Sequence, residues 1–318
     1  MMSSTYPIGL PDTPWGETEK AEWLSQQRIQ RSYADDVLSQ LDKLKADFDI
    51  EQYGSLNYQP YAGKDYPLFA VKSRNWDPQK PTVLVTGGVH GYETSGVHGA
   101  LHFLHSKALS YSKHFNLLVL PCLSPWGYET INRWTPLAVD PNRSFVVDSP
   151  AQESALAMAY VAAVTGSETN DKAILAHIDL HETTDTDNSE FRPAKAARDG
   201  TINTNWNIPD GFYLVGDAEQ PVADFQRAII ESVALVTHIA EADEQGCLIG
   251  EPLAQAGVIL YPAKSAGLCA GFTGAPYVTT TEVYPDSAKS TPDNCIQAQV
   301  AAVCGGLDYL LQQEISVN

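Results

Sequence analysis

Basic side chains are scarce in this sequence. Lys and Arg number 20 against 39 Asp and Glu, a formal charge of −19 at pH 7. Such a surface repels phosphate backbones and anionic bilayers, so neither nucleic acid nor membrane is expected as a partner. No uninterrupted apolar run approaches the ~18 residues of a membrane span. The opening MMSSTYPIGLPDTPWGETEK lacks a basic start followed by an apolar core, so no signal peptide is expected and the cytoplasm is the expected location. The five cysteines, Cys122, Cys247, Cys269, Cys295 and Cys304, form no C-x-x-C pair. That points to reduced thiols and away from a disulfide framework or a structural zinc knuckle.

What is present suits a sizeable core: 43% of the 318 residues are apolar. Val37, Leu41, Leu44 and Phe48 recur at helical spacing, which predicts helix across residues 17 to 48. Gly54, Pro60, Gly63 and Pro67 then mark a loop-rich passage. Beyond it short apolar runs alternate with helical patterns. The strand candidates are Leu68–Val71, Thr82–Thr86, Leu117–Leu120, Ile174–Leu180, Phe212–Val215 and Tyr277–Val283. Ser149-Pro150-Ala151-Gln152 reads as a capping box opening a helix to about Val164. Thr291-Pro292 opens a last helix with a stripe of Ile296, Val300, Val303 and Leu307. The expected fold is α/β, a mixed, largely parallel twisted sheet with helices on both faces. Residues 1–55 form an expected N-terminal helical extension to a main domain over 56–318. In such sheets chemistry gathers at the carboxyl ends of the strands.

One of those ends is VTGGVHGYET, residues 85–94. Gly87, Gly88 and Gly91 let the backbone turn sharply, and His90 and Glu93, spaced i, i+3, can reach one ion together. Alone, H-x-x-E fits a polar turn as well as a metal site. The stretch does not match a nucleotide P-loop. A catalytic zinc needs a third ligand, which should end another strand. AILAHIDLHETTD offers His177 and His181, ~13 Å apart on one strand face at roughly 3.3 Å per residue, too far for one ion. His181, at the carboxyl end, is the candidate; His177 reads as a core or ligand-orienting histidine. His98, His102 and His105 form a helical stripe better read as a solvated or half-buried face. Glu182, Asp185, Asp187 and Glu190 read as a solvated acidic loop rather than a second ion site.

The ordered set His90-x-x-Glu93, SPWGYETINRW, VDPNRSF, IDLHET and TTTEVY resembles the zinc carboxypeptidase family of the carboxypeptidase A type. That family includes the deacylase branch of aspartoacylase and succinylglutamate desuccinylase. The resemblance runs from about residue 60 to the C-terminus. It implies a zinc carboxypeptidase-like catalytic domain with one Zn2+ per chain, bound by His90, Glu93 and His181. It implies that Asp140 orients His90, that Asn142 and Arg143 grip a substrate carboxylate, and that Arg133 stabilises the developing oxyanion. Glu282 falls at the position of the catalytic general base. Tyr261, 21 residues earlier, is near the spacing of a mobile substrate-binding tyrosine, with Gly267, Gly271 and Gly274 between. Trp126 departs from the usual acidic residue, and Pro141 from a small or aliphatic one.

The implied function is hydrolysis of a peptide or amide bond next to a free carboxylate by zinc-activated water, on a peptide or a small N-acyl amino acid. Three alternatives remain open at this point. One is an N-acyl amino acid deacylase of the aspartoacylase type, one a thiol hydrolase using Cys122, and one an inactive binding module.

Overall fold

The computed structural model describes residues 6–166 and 174–317. Eight strands share one sheet: β1 (Phe48–Leu56), β2 (Tyr66–Ser73), β3 (Thr82–Gly87), β4 (Asn116–Leu120), β5 (Ala176–Glu182), β6 (Tyr213–Asp217), β7 (Val258–Tyr261) and β8 (Tyr277–Val283). Their order is β1-β2-β4-β3-β5-β8-β6-β7. The central four, β4, β3, β5 and β8, run parallel. The flanks join them through antiparallel pairs, β2 to β4 on one side and β6 to β8 on the other. This is the mixed, largely parallel α/β sheet that the alternating pattern predicts.

Strand parity explains why both faces are covered, since successive side chains point to opposite sides. Val83, Val85, Leu117 and Val119 pack in a core with α3 (Thr94–Ser106) and α6 (Pro292–Val317). Leu84, Leu118 and Leu120 face the other way, where Ala157 and Val161 of α5 (Gln152–Thr165) cover them. The central strands are therefore apolar on both sides and read as continuous runs.

The first 50 residues depart from the expected single helical pattern. α1 (Glu17–Gln26) ends early, and a short π turn at Ala34–Leu38 leads into α2 (Ser39–Leu44). Between them the chain is drawn off helix, because the amides of Gln30 and Arg31 donate to Glu129 O at 2.7 and 3.2 Å. Phe48 begins β1 rather than closing a helix. The boundary expected at residue 55 falls within β1, which pairs with β2 across a bulge near Gln52. Trp15 and Trp23 share the core with Trp126 and Trp134, and Trp23 lies 6.2 Å from the Trp126 ring. Trp126 is thus explained as a packing partner of α1. The capping box at Ser149 does not form. Ala151 is the N-cap and has no side-chain bond, while Ser149 Oγ turns back onto Ala151.

Candidate metal centre

β3 ends at Gly87, and the chain turns through Gly88, which takes a left-handed φ of +62°. That conformation favours glycine and swings His90 back over the strand ends. Glu93 closes the turn as N-cap of α3. β5 runs beside β3 and delivers His181 at its carboxyl end. All three side chains are buried.

Their donor atoms converge on one point. Glu93 Oε1 lies 2.7 Å from His90 Nδ1, and Glu93 Oε2 lies 2.7 Å from His181 Nδ1. One ligand atom from each residue falls within 4.8 Å of the others. The far nitrogen of each imidazole meets an aspartate. His90 Nε2 is 3.0 Å from Asp140 Oδ1, and His181 Nε2 is 2.8 Å from Asp179 Oδ2. Both histidines are thereby fixed with Nδ1 directed at Glu93, the arrangement in which a carboxylate orients a ligating imidazole. Burial raises the Glu93 pKa, yet His181 and His90 pull it well below the carboxylate range. Burial opposes the positive form of His181 too, but Asp179 and Glu93 hold its pKa well up. The two nitrogens and the carboxylate surround the place a divalent cation would take, and ligation there would need both Nδ1 atoms free of protons. Two imidazoles and a carboxylate suit zinc, with a fourth position left for water.

Asp140 is held by its own loop. It caps the turn Pro141–Arg143 by accepting from Asn142 N at 2.9 Å, and its Oδ2 accepts from Arg133 Nε at 3.2 Å. Pro141 sits at the first position of that turn, where a missing N–H costs nothing. Burial works against the Asp140 charge, but Arg133 and His90 keep its pKa well below the usual range. Arg133 NH1 also reaches Tyr92 Oη at 3.2 Å and Asp187 Oδ1 at 3.6 Å. Asn142 Oδ1 accepts from the Cys269 amide at 2.8 Å, which turns its NH2 into the group left for a ligand. Arg143 NH1 donates to Asn142 O.

On β8, Glu282 pairs in register with His181 on β5, so strand geometry sets the two side by side. Tyr213 Oη lies 2.8 Å from Thr183 Oγ1, which donates to Glu282 Oε2 at 2.8 Å. Burial first, then the nearby Glu93 charge, raises the Glu282 pKa to about 8. Tyr261 ends β7 near Arg143 and Arg192, and burial pushes its pKa up to about 12.

His90, Glu93, Arg133, Asp140, Asn142, Arg143, His181, Tyr261 and Glu282 all line one cavity of about 300 Å3. A wider hollow of about 1170 Å3 at the other end of the sheet, by Thr82, Ile174 and Tyr277, gathers no comparable cluster of titratable groups among the described residues.

Some residues stand elsewhere than expected. Glu182 and Asp187 are buried, not part of a solvated loop. Glu182 accepts from the amides of Thr94 and Ser95, and Asp187 accepts from Tyr92 Oη. His177 is joined to Asp179 through Thr86, whose Oγ1 lies 2.9 Å from His177 Nε2 and donates to Asp179 Oδ1 at 2.6 Å. His177, Asp179 and Cys269 also cluster. Their polar atoms are engaged in this network, and burial lowers the His177 pKa to about 4. Cys122 is buried and its thiol is pushed up by desolvation, which removes the thiolate a nucleophile needs. Asp179 and Thr183 escaped the sequence reading. The alternation His177-x-Asp179-x-His181 was the available signal for Asp179, since all three share a strand face.

Residues 79–202 match the succinylglutamate desuccinylase/aspartoacylase catalytic domain. Comparison with curated proteins finds no match. A candidate metallopeptidase from Shewanella amazonensis is 18% identical with a TM-score of 0.64, covering 90% of this chain and 99% of its own. A metallo-carboxypeptidase from Burkholderia cenocepacia is 12% identical with a TM-score of 0.57, covering 94% and 70%. Bovine thrombin-activatable fibrinolysis inhibitor, solved with tick carboxypeptidase inhibitor, is 12% identical with a TM-score of 0.57, covering 92% and 99%. At these identities the structural likeness is one of fold. The domain match thus spans residues 79–202, and the overall fold is the one these metallopeptidase and carboxypeptidase structures share.

Proposed function

We propose that this chain is a zinc-dependent hydrolase that cleaves a peptide bond next to a free carboxylate, a metallocarboxypeptidase. The observation that carries the proposal is the Glu93 carboxylate held 2.7 Å from the Nδ1 atoms of both His90 and His181. These three residues would hold one zinc, with Asp140 and Asp179 keeping the imidazoles in place. Bound there, the metal would lower the pKa of water and polarise the scissile carbonyl.

The remaining steps fall to the protein. Arg143 and the Asn142 NH2 would grip the substrate carboxylate, a guanidinium being suited to bind it through two N–H groups. Arg133 would face the developing oxyanion, its charge sustained by Asp140 and Asp187. Glu282 would accept the proton of the attacking water and return it to the leaving amine. Without a metal, burial and the Glu93 charge raise the Glu282 pKa to about 8; a dication beside it would favour the carboxylate, the form that can take a proton and then return it. Tyr261 would close on the substrate from β7.

The test is metal content per chain together with turnover on a peptide panel, with and without a chelator. Glu282→Gln should keep one zinc and lose at least two orders of magnitude in kcat. Normal hydrolysis by that variant would sink the assignment. The family match over residues 79–202 favours a second reading, N-acyl amino acid deacylation at the same site. Turnover of N-acyl amino acids but not of peptides would select it.

A further inference from the structure

We propose that Arg31 is a positioning residue of the metal centre: reaching in from the amino-terminal segment, its guanidinium holds the turn that carries His90 and Glu93. The proposal rests on the metal reading of those residues given above, but not on the identity of the substrate.

The contacts of Arg31 surround that turn. Its NH2 donates to Gly91 O at 3.0 Å, one residue past His90, and its NH1 to Thr94 Oγ1 at 2.5 Å, one residue past Glu93. Its Nε donates to Tyr128 O at 2.9 Å, and the guanidinium lies 4.2 Å from the centre of the Tyr128 ring. Tyr128 belongs to α4 (Pro125–Thr130), which packs against the outside of the same turn. One side chain thus joins both flanks of the H-x-x-E turn to the helix behind it. A planar fork with five N–H donors can span three such acceptors, while an ammonium cannot.

Arg31 is itself anchored. Its amide and that of Gln30 donate to Glu129 O, and the Glu129 carboxylate is fixed by Tyr33 N at 3.0 Å, Tyr66 Oη at 2.8 Å and Lys64 Nζ at 2.6 Å. Among the described residues no carboxylate forms an ion pair with Arg31. A half-buried guanidinium whose donors go to neutral oxygens on three sides of a ligand turn does positional rather than charge-pairing work. The segment lies outside residues 79–202, where the family match falls, so this chain's own amino-terminal part braces the ligand turn from outside the cavity.

The experiment compares wild type, Arg31→Ala, Arg31→Lys and Arg28→Ala, the last an exposed arginine of the same segment. Zinc affinity is read by chelator competition, the visible spectrum after cobalt substitution, and the metal-free melting temperature by calorimetry. Arg31→Ala should weaken zinc binding by about tenfold or more, the scale of support lost from outside a ligand set, and should alter the cobalt bands. Arg31→Lys should fall between, and Arg28→Ala should match wild type. Wild-type affinity and cobalt spectrum in Arg31→Ala would overturn the proposal while leaving the metal reading intact. If Arg31→Ala does not fold, wild-type values in Arg31→Lys overturn it equally. A wild-type chain that binds no zinc overturns the metal reading and this proposal together.

Discussion

The amide of Glu182 donates to Glu93 Oε2 at 3.2 Å, while the Glu182 carboxylate accepts from the amides of Thr94 and Ser95 at 3.1 and 2.6 Å. Two adjacent ends of the sheet are tied reciprocally in this way. The residue after His181 supports the Glu93 carboxylate and also satisfies the first turn of the helix that Glu93 introduces. Helix N-termini carry unpaired N–H groups and partial positive charge, and a carboxylate is their natural acceptor. Burial still raises the Glu182 pKa to about 7, so the contact is maintained at some electrostatic cost.

Glu182→Ala should therefore lower stability by roughly 1–3 kcal/mol, the range for stranding buried amides, and should weaken zinc binding as the Glu93 turn loosens. Glu182→Gln keeps one acceptor and should lose less of both. Denaturant unfolding of the metal-free protein and chelator competition measure the two effects. Wild-type values for both quantities in Glu182→Ala would refute the coupling.

Much of the site was legible in the sequence because its residues follow strands. His90, Glu93, His181 and Glu282 each sit at or just past the carboxyl end of a parallel strand, and the ordered motifs place them in one cavity. Contacts made across the fold left weaker marks. Arg31 and Glu129 are 98 positions apart in sequence, and nothing near either signals their meeting. β1 was missed because FDIEQYGSL shows no clean alternation: it is an edge strand, mostly half-buried, with a bulge. Glu182 and Asp187 looked like surface charge in an acidic chain. Their burial follows from partners in other elements, the amides of α3 and the hydroxyl of Tyr92.

A pH effect on stability is expected from Glu153, which does not line the candidate site. The group is buried, its Oε1 accepts from Tyr58 Oη at 2.6 Å, and its Oε2 has no hydrogen-bond partner. Burial raises its pKa from 4.5 to about 7. Below pH 4.5 both folded and unfolded chains carry the proton, so the group is neutral to stability. Between 4.5 and about 7 only the folded chain holds it, and stability falls as pH rises. Across that window the loss approaches roughly 3 kcal/mol, from 1.36 kcal/mol per pKa unit. Glu153→Gln removes the titration. The difference in unfolding free energy between variant and wild type, followed from pH 4.5 to 8, should move in the variant's favour. A difference that stays flat with pH would refute the assignment.

Gly91 offers the sharpest steric test of the turn. A Cβ built there would stand 2.0 Å from Tyr128 N and 2.1 Å from Gly127 C. Both are backbone atoms, so no side chain can move aside, and α4 must retreat from the turn. At Gly88 the neighbour met at 2.7 Å is the Val97 Cγ2 methyl, and the cost there is mainly the left-handed backbone, about 1–2 kcal/mol. Overpacking against fixed atoms costs typically 1–3 kcal/mol and sometimes more, and at Gly91 the shift also pulls Tyr128 O away from Arg31. Gly91→Ala should therefore lower the melting temperature more than Gly88→Ala and should weaken zinc binding, read by calorimetry and by metal content after dialysis. Gly91→Ala with wild-type stability and a full complement of zinc would show that the close approach of turn and helix is not needed to present His90 and Glu93.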